Sequence, residues 1–485
     1  MSKYQQRQPV LKIKNALASS GLHIEDFAAY SAEAWCVVGA NRSGSDLFFK
    51  LLSAGQERDN LGVKAEEFLV SEDIAVLSFA RQQKIFEAEL DKDDTDFLDR
   101  VDPGTPAREF IPDLHKHTAL IEAFGLTPFL DQGYRELSTG QARKLLLLAE
   151  CVRRPECLLL EAPYEGLDPG ARTELDRCLR HLQHQGCCLL LFIANRDDMP
   201  DWSTHIAVME NNSLVCQGRF QEVQASEMDG VWQHEPDFRV DMDRPEAWGA
   251  GKGNAQEGDS SVPLIELKHG FAAYRGVEVF RGLDLIIHAG EHTLVSGSNG
   301  SGKSTLLHLI SGDHPACYQN ELYLFGIKRG SGESIWELKE RMGIVTPDLH
   351  RNYYIDTDVL SCVLSGLFDS IGVYKKAHTS QIHQALTWLK WIGLEHWKNK
   401  AFRSLSFADQ RLALIARALI KGPELLIMDE PTQGLDEANR NAVLAYIEKI
   451  AHENVSTILY VSHRHDEFRS FFTRHILMDD FTVTK

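Results

Sequence analysis

Short apolar runs, separated by polar and glycine-containing turns, set the plan of this chain. At 264–291 the stretches LIELKHGFAAY and VFRGLDLIIHAGE alternate apolar and polar positions, the pattern of half-buried antiparallel strands. HTLVSG (292–297) is a continuous apolar run, which predicts a strand buried on both faces, and KSTLLHLISG (303–312) follows it with helical spacing. ELLIMD (424–429) and TILYVS (457–462) predict two more buried parallel strands. Between these runs, residues 355–400 carry helical periodicity in DVLSCVLSGLF and SQIHQALTWLKWIG, and predict a separate helical lobe. The pattern is that of an α/β unit.

The first half repeats the plan in register. Leu137 and Leu405 open LSTGQ and LSFAD, and Glu161 and Asp429 close the runs LLLE and LIMD. Asp168 and Asp436 end two GLD tripeptides, and Asn195 and His463 follow the last strand of each copy. All four pairs lie 268 residues apart. The glycine-rich loops GANRSGSD (39–46) and GSNGSGKST (297–305) are 258 apart, so one ten-residue indel separates loop from LS motif. The expected organisation is one unit over 1–225, an irregular linker over 226–261 and a second unit over 262–485. The linker contains Pro236 and Pro245, is rich in Asp and Glu, and ends in WGAGKGNAQEGDSS.

Composition narrows the function classes. The 485 residues are 43% apolar and carry a net charge of −19, which argues against a surface that tracks nucleic-acid phosphates. No run of 18 apolar residues appears, and the start MSKYQQRQPVLKIKN has no apolar h-region. The nine cysteines include no C-x-x-C pair. Reduced, buried thiols in a cytoplasmic protein, at most peripheral on the cytoplasmic face of a membrane, are expected.

The second glycine-rich loop matches G-x-x-x-x-G-K-[ST], a phosphate-binding P-loop. Gly297, Gly300 and Gly302 permit the turn that aims backbone N–H groups, including those from Asn299 through Ser301 to Thr305, at phosphate oxygens. Lys303 is expected to reach the β- and γ-phosphates and Ser304 to hold Mg²⁺. Asp429, at a strand end, can bind the same ion, and Glu430 is placed to orient or deprotonate a water. His463, after the next strand, can meet a γ-phosphate as charge develops. Tyr274, upstream of the P-loop, can stack on adenine.

P-loop, LSTGQ, LLIMDEP, GLD and VSH in this order resemble the ATP-binding cassette family. The resemblance implies two tandem cassettes, each with a RecA-like core, an antiparallel β subdomain and a helical subdomain. It also implies ATP and Mg²⁺ as ligands and ATP hydrolysis as the activity. In that family two cassettes stack head to tail, and the signature of one caps ATP held by the other. Carried over, Ser138, Thr139, Gly140 and Gln141 face the nucleotide held at Gly297–Thr305. SGDHP (311–315), LFGIKRGSGESIWELK (324–339), LSGLFDSIGVY (364–374) and LSTGQARK (137–144) further resemble the ModF-like subgroup of fused double cassettes, named for molybdate-transport loci.

The opposite composite site departs from the family. Ser45 replaces the lysine and Asp46 the hydroxyl. Opposite unit charges about 4 Å apart at an effective dielectric near 20 attract by roughly 4 kcal/mol, so attraction is lost and repulsion added. Ala162 stands at the glutamate position and Asn195 at the histidine position. The facing signature has Phe407, Ala408 and Asp409, where a bulky ring and a carboxylate are expected to obstruct phosphates. A single working ATPase site is the expectation. The good site departs once: Pro347 and Asp348 stand where the family has a glutamine that binds Mg²⁺ and couples to a partner, while Gln82 and Gln83 lie slightly late in the first half.

Three functions follow. The first is the ATP-hydrolysing subunit of a transporter, of an oxyanion such as molybdate by lineage, docked through the lobe around Phe368 on a transmembrane permease. The second is a non-transport ATPase acting on ribosomes or nucleic acid. Relatives of that kind have a long basic linker and two intact sites, and this chain has neither. The third is a non-hydrolytic ATP sensor, against which Lys303, Asp429, Glu430 and His463 argue.

Overall fold

A computed structural model describes residues 8–40, 43–54, 62–90, 92, 103–137, 139–223, 262–274, 277–351, 353 and 355–482. The expected linker and Ser138 lie outside the described residues. The chain forms two compact units. Residues up to Val223 build the first, and those from Val262 onward, Asp436–Ala438 aside, build the second.

In the second unit the continuous apolar runs form a five-stranded parallel sheet in the order Met342–Val345, Leu425–Asp429, Thr457–Val461, Thr293–Ser296, Arg474–Leu477. Its central strands are buried along their whole length, which is why they carry no alternation. The alternating stretches pair antiparallel as expected. Ile265–Tyr274 lies between Val277–Ile287 and Glu321–Leu324, with Ile327–Lys328 at the edge. The helix Lys303–Ser311 leaves Thr293–Ser296 through the P-loop.

The helical segment shares its apolar core with the sheet. Its helices Val359–Ser365 and Thr379–Trp391 pack with Phe407–Leu419, whose Leu412 and Ala416 share one apolar cluster with Leu426, Met428 and Ile458 of the sheet. The helix Phe407–Leu419 is buried almost all round, so it joins the two regions instead of bounding one of them.

The first unit gathers its strands into one nine-stranded sheet. Ile74–Leu77, Cys157–Glu161, Cys188–Ile193, Ala34–Val38 and His205–Glu210 run parallel. Ser213–Arg219 turns back along His205–Glu210 and meets His23–Ala29 at one bridge, which continues the sheet through Leu11–Leu17 to Glu67–Val70. All nine cysteines are free thiols, and eight are buried. Burial pushes the Cys187 and Cys362 thiols up to about 12.

Candidate active site

The P-loop of the second unit adopts the geometry its glycines allow. Gly297, Gly300 and Gly302 have φ of 146°, 85° and 97°. A Cβ on Gly302 would meet Val279 at 2.9 Å, whereas a Cβ on Gly300 would meet nothing within 4 Å. The loop is therefore packed on one side and open on the other. Ser301 is buried and Asn299 and Thr305 are half-buried. The C-terminal segment holds the first turn. Asp479 accepts the Ser298 amide at 2.9 Å and the Ser298 hydroxyl on its second oxygen, and Ser296 Oγ pairs with His475 Nε2 at 2.6 Å.

Lys303, at the first turn of the helix, is buried, and its Nζ donates to the carbonyls of Gly297 and Ser298 at 2.9 Å each. Ser304 Oγ donates to Asp429 Oδ2 at 2.8 Å. Asp429 ends its strand opposite Val461, and the next amide, that of Glu430, donates to the Val461 carbonyl at 3.0 Å. Glu430 takes a left-handed φ of 42°, which turns its side chain out of the strand. Its Oε1 then pairs with His463 Nδ1 at 2.7 Å. Burial alone would push the His463 pKa down, but the charge and hydrogen bond of Glu430 and the charge of Glu467 outweigh it, against Lys303, and hold it above the ordinary value.

These positions fit a nucleotide and a hard cation. The loop's open face lies over Gly300 and the helix N-terminus, the Lys303 ammonium is already donating to oxygens, and Ser304 and Asp429 present adjacent oxygen donors of the kind Mg²⁺ takes. The structure thus brings together Gly297, Asn299, Gly300, Ser301, Gly302, Lys303, Ser304 and Thr305 on one loop and helix. Asp429, Glu430 and His463 stand at two strand ends linked to it. Tyr274 ends its strand in register with Val277, and its side chain lies outside the described residues, as do those of Thr139 and Asp348. Pro347 starts the short helix Pro347–Arg351.

In the first unit, Gly140 and Gln141 lie in the first turn of the helix Thr139–Cys151. Sequence reading missed the residue that steadies this helix. Arg143 is buried, and its Nη1 donates to the carbonyls of Ala162 (3.1 Å), Pro163 (2.7 Å) and Glu165 (3.0 Å). Its Nε donates to Gln82 Oε1 at 3.4 Å. The available signal was the repeat itself. Arg411 occupies the matching place in the second unit and donates to the Gln433 carbonyl at 3.4 Å.

The degenerate positions are occupied differently from the intact ones. Asp46, in the first turn of the helix Ser45–Ala54, pairs with Lys50 one turn on, at 3.4 Å and exposed. The Ser45 amide donates to Ser43 Oγ at 3.3 Å, and the Ser43 carbonyl accepts from Asn212 at 2.8 Å. Burial raises the Glu161 pKa, helped by Asp46 and opposed by Lys50. Asn195 is not the counterpart of His463. Glu161 pairs with Phe192 where Asp429 pairs with Val461, so the strand register puts Ala194 at the histidine position, because the turn before Cys188–Ile193 is one residue shorter than the turn before Thr457–Val461. Asn195 Nδ2 donates to Asp198.

The second unit's signature corrects one expectation. The Asp409 carboxylate does not project from the helix toward a ligand. It is buried and accepts the Ser406 hydroxyl at 2.8 Å, while Ser406 Oγ accepts the Asp409 amide. The cap closes on itself because a carboxylate three residues after a serine is within reach of it. Phe407 stays 42% exposed and stacks on His350 at 4.4 Å, so it does stand in the open.

Comparison with known proteins places this geometry. Residues 280–433 match the family model for "ABC transporter". The ABC transporter ATP-binding protein ModF of Escherichia coli is 34% identical over 472 residues, covering 94% of this chain and 93% of that one. An uncharacterized ABC transporter ATP-binding protein of Schizosaccharomyces pombe is 29% identical over 73% of this chain and 70% of its own. Among solved structures, the archaeal ribosome recycling factor aABCE1, in complex with the ribosomal stalk protein aP1, superposes with a TM-score of 0.53 at 16% identity. That match covers 94% of this chain and 84% of that one, a likeness of fold. With ModF matched along nearly the full length of both chains, this protein belongs to the ATP-binding cassette family, as an ATPase of the ModF type.

Proposed function

We propose that this ATPase hydrolyses ATP at one composite site, in which the second cassette holds the nucleotide and the first cassette's signature caps it. The observation that carries this reading is the pairing within the second unit of Ser304 with Asp429 and of Glu430 with His463, where the first unit has Asp46 tied to Lys50 and alanines, Ala162 and Ala194, at the glutamate and histidine places. Ser304 and Asp429 would hold Mg²⁺, which would supply charge neutralisation at the phosphates. Lys303 turns from the loop carbonyls to the phosphates, Glu430 accepts a proton from water, and His463 holds Glu430 in place and donates toward the γ-phosphate. Ser138, Gly140 and Gln141 supply the cap at a helix N-terminus. The Ser406–Asp409 closure removes the hydroxyl that the other site would need.

In cells we assign this activity to transport, with an oxyanion of the molybdate type as cargo by lineage and a separate transmembrane permease as partner. Among the described residues no helix is long and apolar enough to cross a membrane. Ile371 (36% exposed) and Tyr374 (77% exposed), near the half-buried Phe368, offer that partner an apolar contact. The deciding experiment is ATP turnover and nucleotide stoichiometry of the purified Glu430→Gln protein. One tightly held nucleotide per chain and no turnover is expected, and two equivalent nucleotides would overturn the single-site reading. Failure to recover a permease with the protein from native membranes would overturn the transport role alone.

A further inference from the structure

Behind the Glu430–His463 pair lies a carboxylate that the scheme above does not use. Glu467, in the turn His465–Glu467, is 1% exposed. Its Oε1 accepts the hydroxyl of Thr432, and its Oε2 accepts Tyr460 Oη at 2.9 Å and Ser462 Oγ at 2.6 Å. Thr432 follows Glu430 by two residues, and Ser462 precedes His463. The two loops that carry the proposed water-activating glutamate and the γ-phosphate histidine are thus tied to one acceptor from opposite sides. Among the described residues Glu467 has no cation within ion-pairing distance, while Arg440 and Arg464 pair with its neighbour Asp466.

A buried charge with no ionic partner is an expensive way to fill space. Its chemistry is nonetheless specific. Each hydroxyl has one hydrogen to give, and an ionised carboxylate, which only accepts, takes all three without conflict. A glutamine of the same shape turns one of the two terminal atoms into a donor. That donor faces either Thr432 or the Tyr460–Ser462 pair, whose hydroxyls must then turn to accept, and bonds to a charged acceptor give way to weaker neutral ones with a different geometry.

We propose that Glu467 is a positioning residue for hydrolysis, a buried three-way acceptor that sets the loop after Glu430 and the loop bearing His463 in register with each other. The negative charge it places near His463 acts in the same sense as Glu430, favouring the protonated imidazole.

The inference rests on the roles proposed above for Glu430 and His463, and steady-state ATP turnover of the full-length protein separates the two. Glu467→Gln should lower kcat at least tenfold and leave KM for ATP within about twofold, because the P-loop is untouched. Thr432→Val, which removes one donor, should move kcat the same way by a smaller factor. Thr432→Ser should restore most of what Thr432→Val loses, which a packing role for the methyl group would not give. Thermal melting checks that each variant is folded, and if Glu467→Gln fails to fold, Thr432→Val and Ser462→Ala carry the test. Wild-type kcat in the folded variants, or kcat falling only in proportion to folded protein, overturns the inference. If Glu430→Gln also turns over ATP normally, the reading of the site fails as well; if Glu430→Gln is inactive, the loss is confined to Glu467.

Discussion

The loops that follow Asp429 in one unit and Glu161 in the other have the same backbone and different chemistry. Glu430 and Ala162 both sit in the left-handed region, at φ of 42° and 44°, and both donate their amides across to the neighbouring strand at 3.0 Å. For Glu430 the conformation has a use, because it turns the carboxylate onto His463. For Ala162 it has none, and an L-residue there costs roughly 1–2 kcal/mol. The shape of this turn therefore belongs to the fold and not to catalysis. In the first unit Arg143 fixes it by gathering three of the loop's carbonyls under the helix that carries Gly140 and Gln141. On the single-site reading proposed above, the first half has lost its reactive side chains and kept the framework under its signature helix.

Breaking the chemistry on each side should give the largest contrast. Lys303→Ala should lower ATP turnover by about a hundredfold or more, as loss of a preorganised charge at a developing anion does, while Ser45→Ala and Asn195→Ala should leave it within a factor of two. Equal losses from both sets, in a steady-state phosphate-release assay, would end the asymmetry. Breaking the framework comes next. Arg143→Met leaves three loop carbonyls short of a donor, at about 1–3 kcal/mol for an unmade bond to a buried group, and should shift the first unit's unfolding midpoint in urea accordingly.

Acidity offers a subtler probe. Burial lowers the His463 pKa, but Glu430 and Glu467 together outweigh it and raise it, so the folded state favours the imidazolium. The resulting stability is fully present below the ordinary histidine value of about 6.5 and is lost as pH rises through the raised folded value. The melting-temperature gap between wild type and Glu430→Gln should thus be widest near pH 5.5 to 6.5 and narrow toward pH 9. The smallest expected effect is a gain. Ala162→Gly relieves the left-handed alanine, offset by added freedom of the unfolded chain, and should stabilise the first unit by up to about 1 kcal/mol. A loss would mean that the alanine methyl packs better than its backbone suffers.

Much of this was legible in the sequence, for identifiable reasons. Continuous apolar runs marked the parallel strands because those strands are covered on both faces, and the loop match located Ser45 as the repeat spacing located Ala162. The same spacing misplaced Asn195, since a one-residue difference in the turn before the last strand moves the histidine position to Ala194. The Ser406–Asp409 closure was legible too, as a serine followed three residues later by a carboxylate at a helix start, but was read as an outward charge. Asp479 and Glu467 were not legible, and Arg143 only as the repeat partner of Arg411. The partners of Asp479, Arg143 and Glu467 lie 181, 19 to 61 and up to 35 residues away, at distances that only tertiary folding closes. The sharing of one core by the helical segment and the sheet also escaped, since periodicity reports which face of a helix is apolar and not what covers it.

The grip of Asp479 on Ser298 makes the phosphate cradle mechanically continuous with the last described stretch of the chain. Strand Arg474–Leu477 runs parallel to the strand that feeds the P-loop, and the turn Met478–Phe481 ends on that loop's first residues. A pull or a displaced binding partner on this stretch would act as a lever, withdrawing the carboxylate and slackening the loop at its hinge. Where an affinity handle is attached is thus itself a variable of any measurement on this enzyme.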